Sequence, residues 1–270
     1  MPRLGLGLGL TMGNILGVGL SAEALAWEAR IVTNGGTILP ATLQIFDTHF
    51  FKPAIANGNI LTELDRLNIY CGLNGYEIAA RTNIIKSAHF VTPVSSPTFD
   101  NNGYKSAGTG YLDLNYNPNT QGVKLTLNSV SLGYVVKTPL FAATKRGIGC
   151  SNASTARLEL IRDSSGSAVF CNSLGFFNTN KTSIGNVFLL GRRTLSNSQE
   201  AIINATVTSD VSASVSIPNF NAWELTVNSA GTPAGNYDDF YHLTSFHGSK
   251  NLDYTNLRII LNNLYAALGV

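Results

Sequence analysis

The spacing of apolar side chains changes once along this chain, and the change separates a helical stretch from a strand-rich one. Ser21 stands as an N-cap before a helix over Ala24–Val32, Glu23 falls in the first turn where the helix dipole favours negative charge, and Gly35-Gly36 ends the run. Leu43, Phe46, Phe50 and Ile55 mark the apolar stripe of a second helix over Ala41–Ala56, bent at Pro53. Ile60, Leu61, Leu64 and Leu67 recur at helical spacing before Cys71-Gly72 and predict a third, short helix. From Thr92 to Gly110 proline and glycine punctuate a loop. Beyond it lie short β-rich runs: Ser129–Thr138, Ala156–Arg162, Ala168–Asn172, Asn186–Arg192, Ala201–Thr208 and Ala222–Val227. Many short strands with almost no helix between them predict an antiparallel sandwich or barrel. The chain closes with a helix over Tyr254–Leu268. Its Leu257, Ile260, Leu261, Leu264 and Leu268 form one apolar face that must pack on the sandwich or on the N-terminal helices.

The first twenty residues, MPRLGLGLGLTMGNILGVGL, follow neither pattern. Extended, they place Leu4, Leu6, Leu8 and Leu10 on one face and Gly5, Gly7 and Gly9 on the other, a ribbon suited to anchoring in a larger assembly. Arg3 ahead of the apolar run, with Ala22-Glu23-Ala24 as a small-x-small cleavage site, also suits an export signal over residues 1–24. Glycine, at about 1 kcal/mol per helix residue, weakens that alternative. It also weakens a membrane span, which needs about 20 apolar residues. Any membrane contact would fall on residues 4–20. The expected division is therefore an anchor over residues 1–20, a helical collar and linker over 21–99, and a sandwich with its closing helix over 100–270.

Only 13% of the 270 residues are charged, against about 25% in an ordinary domain, while 44% are hydrophobic. That excludes intrinsic disorder and leaves the surface to be solvated by Asn, Ser and Thr. The net charge of +2 has no basic stripe behind it, since the adjacent basic pairs are Lys145-Arg146 and Arg192-Arg193, so nucleic acid is not an expected partner. Cys71, Cys150 and Cys171 are too scattered for a Cys-type zinc site and read as small buried hydrophobes.

Three stretches carry a family likeness. The first is Trp27–Gly72, with Ala-Arg-Ile-Val-Thr-Asn-Gly-Gly and Leu-Asp-Arg-Leu-Asn-Ile-Tyr-Cys-Gly. The second is Gly110–Pro118, GYLDLNYNP, followed by VSLGYVV. The third is Asp239-Phe240-Tyr241-His242-Leu243, leading through Gly248-Ser249-Lys250 to TNLRIILNNLYAAL. The layout, over roughly residues 24–270, resembles the concanavalin A-like or laminin G-like sandwich modules of bacteriophage tail fibres, spikes and related virion proteins. The resemblance implies a mainly β, antiparallel jelly-roll sandwich with a small N-terminal helical section and a C-terminal amphipathic helix. It also implies a place on a virion, attachment to other virion proteins through residues 1–20, homo-oligomers, and binding of a host-surface glycan or receptor. The alternative is a secreted bacterial carbohydrate-binding module with residues 1–24 as its signal peptide.

Related sandwiches include glycoside hydrolases whose two acids alternate along one strand. Here Glu63-Leu-Asp65-Arg-Leu-Asn68 lies in a helical pattern, where positions two apart do not face each other, and Asn68 stands where the second acid is expected. No nucleophile elbow or phosphate-binding loop is present. The expectation is a non-enzymatic protein without a cofactor, with calcium as the one ion the resemblance allows. Asp238 and Asp239, near His242 and His247, are its candidate ligands, although a solvated acid pair and two ordinary histidines is the plainer reading. Sugar binding needs flat apolar faces, available from Tyr104, Tyr111, Tyr116, Trp223, Tyr237 and Tyr241. It also needs short polar groups, available from Asn101, Asn102, Asn117, Asn119 and Asn236. Tyr104 and Tyr237, on loops beside Asn101 and Asn236, are the preferred candidates.

Overall fold

Two β-sheets pack face to face, and helices cover the outer side of one of them. The computed structural model describes residues 19–137, 143–152, 155–163, 166–174, 177–179 and 185–270. Leu4, Leu6, Leu8 and Leu10 lie outside the described residues. In spatial order the first sheet runs Thr206–Val211, Ser198–Ile203, Val187–Leu195, Val130–Val136, His242–Gly248, Gly103–Lys105 and Thr98–Asp100. Leu64–Ile69 shares one edge of the central strand His242–Gly248 with Gly103–Lys105. The second sheet runs Phe177–Thr179, Gly166–Ser173, Arg157–Asp163, Lys145–Ser151, Trp223–Glu224, Tyr111–Asp113 and Thr92–Val94. Its strand pairs are antiparallel apart from Asn228–Ser229, which lies parallel to Lys145–Ser151. The expected mainly β sandwich is thus the observed architecture.

Ser21 caps the first helix, Ala22–Thr33, its Oγ accepting the Ala24 N–H at 3.3 Å. Trp27 on that helix is enclosed, 4.9 Å from the Phe46 ring, and its indole N–H donates to the Thr82 carbonyl. The second helix runs from Pro40–Phe46 through a π-helical turn, Asp47–Phe51, into Lys52–Ala56. The wider turn comes just before Pro53, which has no N–H to continue an α-helical ladder. The closing helix Tyr254–Leu268 forms as expected and packs on this π turn, with Leu257, Ile260, Leu261 and Leu264 buried. Tyr265 Oη donates to Thr244 Oγ1 at 2.7 Å, so the helical layer sits on the face of the central strand opposite Ser245. Among the described residues no helix is long and apolar enough to cross a membrane.

The structure departs from the sequence expectations in several places, and Thr92–Gly110, expected as a loop, carries the strands Thr92–Val94, Thr98–Asp100 and Gly103–Lys105. The third helix is limited to a 3-10 turn, Ile60–Glu63, and Leu64–Ile69 is a strand with every residue buried. Burial on both faces removes the alternation that would have marked it. The run Ala201–Thr208 is a hairpin, Ser198–Ile203 and Thr206–Val211, turning at Asn204 with φ 54°. The division at residue 99 does not separate a collar from a sandwich. Leu64–Ile69 belongs to the first sheet and Thr92–Val94 to the second, and one continuous apolar core extends from Ala24 to Tyr265. The three cysteines are free and buried.

Candidate functional site

A string of polar side chains crosses the apolar interior between the sheets. Asp238, fully buried, accepts from Arg162 Nη2 at 2.5 Å and Nε at 3.3 Å, and from the Phe240 backbone N–H at 3.1 Å. Its Oδ2 lies 3.1 Å from His242 Nε2, and His242 Nδ1 lies 2.8 Å from Glu224 Oε1. Both partners of the ring are carboxylates, so the imidazole donates from both nitrogens as a cation. Burial alone would lower the pKa of His242, but its bonds to Asp238 and Glu224 outweigh burial and raise it. Burial likewise opposes charge on Asp238, yet the Arg162 guanidinium and His242 hold its carboxyl well below the usual carboxylate range. The Tyr134 ring stacks on His242, centroids 4.5 Å apart.

The string continues from Glu224 to Tyr70, whose hydroxyl donates to Oε2 at 2.6 Å and lies 2.8 Å from Ser245 Oγ. Arg66 Nη2 donates to Asn68 Oδ1 at 2.8 Å, and its Nη1 donates to His247 Nδ1 at 3.3 Å. Burial pushes the His247 pKa far down, and the nearby Arg66 charge adds to this. Every member from Arg162 to His247 is buried, so the string stitches the sheets together and holds no open reaction site.

Its Asp238 end fixes the chain that leads into the central strand. With Asp238 turned inward, Asp239, Phe240 and Tyr241 line a surface cleft of about 410 Å³ together with Asn102, Lys105 and Lys137. The strand order brings these residues together, because Gly103–Lys105 and Val130–Val136 flank His242–Gly248 on either side. The Lys137 N–H donates to the Tyr241 carbonyl at 2.8 Å, and the Ser106 N–H to that of Asp238 at 2.9 Å. Asn102 is set by Asp100, whose Oδ1 accepts its backbone N–H at 2.7 Å and its side-chain amide at 3.0 Å. Gly103 completes this turn at φ 104°, where a Cβ would fall 2.2 Å from the His242 carbonyl oxygen.

The Tyr241 hydroxyl donates to Asp100 Oδ2. Burial and then that bond push its pKa up to about 12, so it stays a donor at neutral pH. Lys105 Nζ rides 4.6 Å from the Tyr241 ring centroid, Lys137 Nζ donates to Asn102 Oδ1 at 2.6 Å, and Lys145 pairs with Asp239 at 3.0 Å. Apolar ring surface, an amide and ammonium groups therefore converge at one opening.

Of the residues singled out from sequence, Asn102, Asp239 and Tyr241 line this cleft, and Asn101 is exposed on the same turn. Tyr104 does not serve there. It pairs with His242 in the first sheet, packs on Tyr70 and Phe99, and donates its hydroxyl to Glu77 at 2.6 Å. Asn236, exposed, and Tyr237, half-buried, precede the anchored segment and are not among the lining residues. Both oxygens of Asp238 are engaged by Arg162 and His242, while Asp239 faces outward beside Lys145. No group of three or more His, Cys, Asp or Glu among the described residues is arranged to hold a metal ion.

Glu63 closes the 3-10 turn Ile60–Glu63, and Asp65 lies in the strand Leu64–Ile69. Asp65 takes the backbone N–H groups of Val123, Lys124 and Leu125 and the Tyr116 hydroxyl, and Glu63 takes the Ser249 hydroxyl, so both are structural. Trp223 is enclosed under Tyr111, centroids 4.4 Å apart. Lys105, Lys137 and Phe240 were not anticipated.

No protein-family model matches the chain, and no curated protein matches it in sequence. Solved structures match it in fold. One is botulinum neurotoxin type C, from work on the dependence of its cell entry on two ganglioside molecules, at 13% identity and TM-score 0.53, covering 76% of this chain and 52% of that one. A second is Trypanosoma rangeli sialidase with 2,3-difluoro-KDN, at 12% identity and TM-score 0.53, covering 83% of this chain and 39% of that one. A third is a mutant of the same sialidase displaying trans-sialidase activity, at 11% identity and TM-score 0.51, covering 84% and 40%. The likeness is one of fold, a β-sandwich. The chain spans about half or less of the length of these proteins.

Proposed function

We propose that this chain is a glycan-binding sandwich and that the cleft between Asn102 and Tyr241 is where the sugar sits. The observation that carries the reading is the make-up of that cleft. Phe240 and Tyr241 offer apolar surface to a pyranose face, while Asn102, Lys105, Lys137 and Asp239 offer donors and acceptors to hydroxyls, all on turns and strand ends held by the core. The fold likeness to proteins whose structures concern gangliosides and sialic-acid analogues supports it.

The proposed role is binding: Asp239, the one carboxylate among the described lining residues, is paired with Lys145. In the same proposal the chain works on a bacteriophage particle as a spike, fibre or capsid decoration. Residues 1–20 attach it to other virion proteins and copies of the chain associate. The sequence resemblance and the Leu/Gly head support this part. Ser21 caps the first helix and bonds Asp47, and Ala24 is fully buried, which favours retention of residues 21–24 over their loss with an export signal.

The test is binding of the labelled full chain to intact bacterial cells, with and without competing surface polysaccharide, beside the variant Tyr241→Ala. Saturable binding that polysaccharide displaces, and that Tyr241→Ala weakens about tenfold or more with unchanged melting, is the expected result. Displaceable binding indifferent to Tyr241→Ala would move the site elsewhere. Absence of binding across hosts would overturn the glycan reading.

A further inference from the structure

We infer that the cleft selects saccharides carrying an anionic oxygen group, a carboxylate or a phosphate, over neutral ones; this rests on the glycan-binding reading above. Three ammonium groups and two carboxylates stand at or next to the opening, and their pairing is uneven. Asp239 is matched by Lys145 at 3.0 Å. Asp100, behind Tyr241, gives one oxygen to the two Asn102 donors and the other to the Tyr241 hydroxyl. Lys105 and Lys137 have no carboxylate within ion-pair distance among the described residues. Lys137 spends one of its three donors on Asn102 Oδ1, which aims the ammonium without neutralising it. Lys105 is held over the Tyr241 ring, a cation–π contact that likewise leaves its N–H donors available.

Both lysines are half-buried, so solvent and salt screen them less than free surface charges. In a chain with 13% charged residues, two unmatched ammoniums on one cleft form a local positive field. A neutral sugar would leave both uncompensated. An anionic group on the ring would accept charge-assisted hydrogen bonds, which are stronger than those to hydroxyls. Phe240 and Tyr241 would meanwhile hold the ring itself, so the aromatic pair supplies affinity for sugar in general and the lysine pair supplies the preference for acid.

The experiment measures affinities of the full chain for matched probes. These are 3′-sialyllactose against lactose, hyaluronan oligosaccharide against its carboxyl-reduced form, and mannose 6-phosphate against mannose. For at least one pair the acidic member should bind about tenfold or more tightly, with an advantage that shrinks as ionic strength rises from about 0.01 to 0.15 M. Which pairs respond separates carboxylate from phosphate. Lys105→Gln and Lys137→Gln together should remove the advantage of the acidic probe over its neutral partner, while Tyr241→Ala weakens both probes and keeps their ratio; melting curves establish that each variant is folded. Equal binding of acidic and neutral members, or an acidic preference that survives the double lysine variant, would overturn the charge selectivity and leave glycan binding standing. Binding to neither member of any pair would overturn both.

Discussion

Neighbouring acids at 238 and 239 meet different worlds, one turned into the interior and the other out to solvent. Asp238 is closed in with Arg162 and His242, whereas Asp239 is 58% exposed beside Lys145. Replacing Asp238 by Asn should cost about 3–5 kcal/mol in urea unfolding, because buried Arg162 loses its counter-charge and His242 one of its two. The same substitution at Asp239 should cost about 1 kcal/mol or less. The interior groups also set the pH profile. Asp238 titrates low when folded, so its contribution is complete above the unfolded carboxylate value of about 3.9 and is lost as pH falls through its folded value. His242 titrates high, so its contribution is complete below about 6.5 and is lost as pH rises through its folded value. His247 is held neutral, so its contribution is complete above about 6.5 and declines as pH falls below it. His247→Gln should therefore flatten the loss of stability on the acid side of about pH 6.5, read from urea midpoints across pH, and leave the alkaline side unchanged.

Elements explain which of these features could be foreseen. The closing helix was legible because Leu257, Ile260, Leu261 and Leu264 recur at helical spacing and bury one face. Leu64–Ile69 was not, since a strand covered on both faces keeps no period of two and its Leu64 and Leu67 mimic a helical step. The lysines of the cleft were illegible for a different reason. Lys105 and Lys137 are isolated in sequence and become neighbours of Tyr241 once their strands take places on either side of His242–Gly248. Tyr104 looked exposed because proline and glycine surround it, yet its backbone pairs with the central strand and its ring enters the core. The turn before it is equally constrained. Gly103→Ala should cost about 1–3 kcal/mol, as its Cβ meets the His242 carbonyl at a φ that side chains avoid. It should also weaken the proposed sugar binding through displaced Asn102, measured by thermal melting and titration on one sample.

Among the described residues a main apolar core reaches from the first helix to the last, with Ile161 and Phe170 as a small separate cluster. A collar and a sandwich that folded apart would give separable transitions, whereas a shared core gives one. Leu261→Ala, in the middle of the closing helix and fully buried, should lower stability by about 2–5 kcal/mol. It should shift a single transition seen identically by far-ultraviolet circular dichroism and by calorimetry.

The placement of the two tryptophans has an optical consequence. Trp27 lies against Phe46 in the helical layer and Trp223 under Tyr111 on the second sheet, both enclosed and neither a wall of the cleft. Their emission should be that of indoles shielded from water and should move to longer wavelength as the core opens. A saccharide entering the cleft touches neither. Indole fluorescence thus follows unfolding while staying silent to occupancy, and a spectral change on adding sugar would report repacking of the interior rather than contact with the ligand.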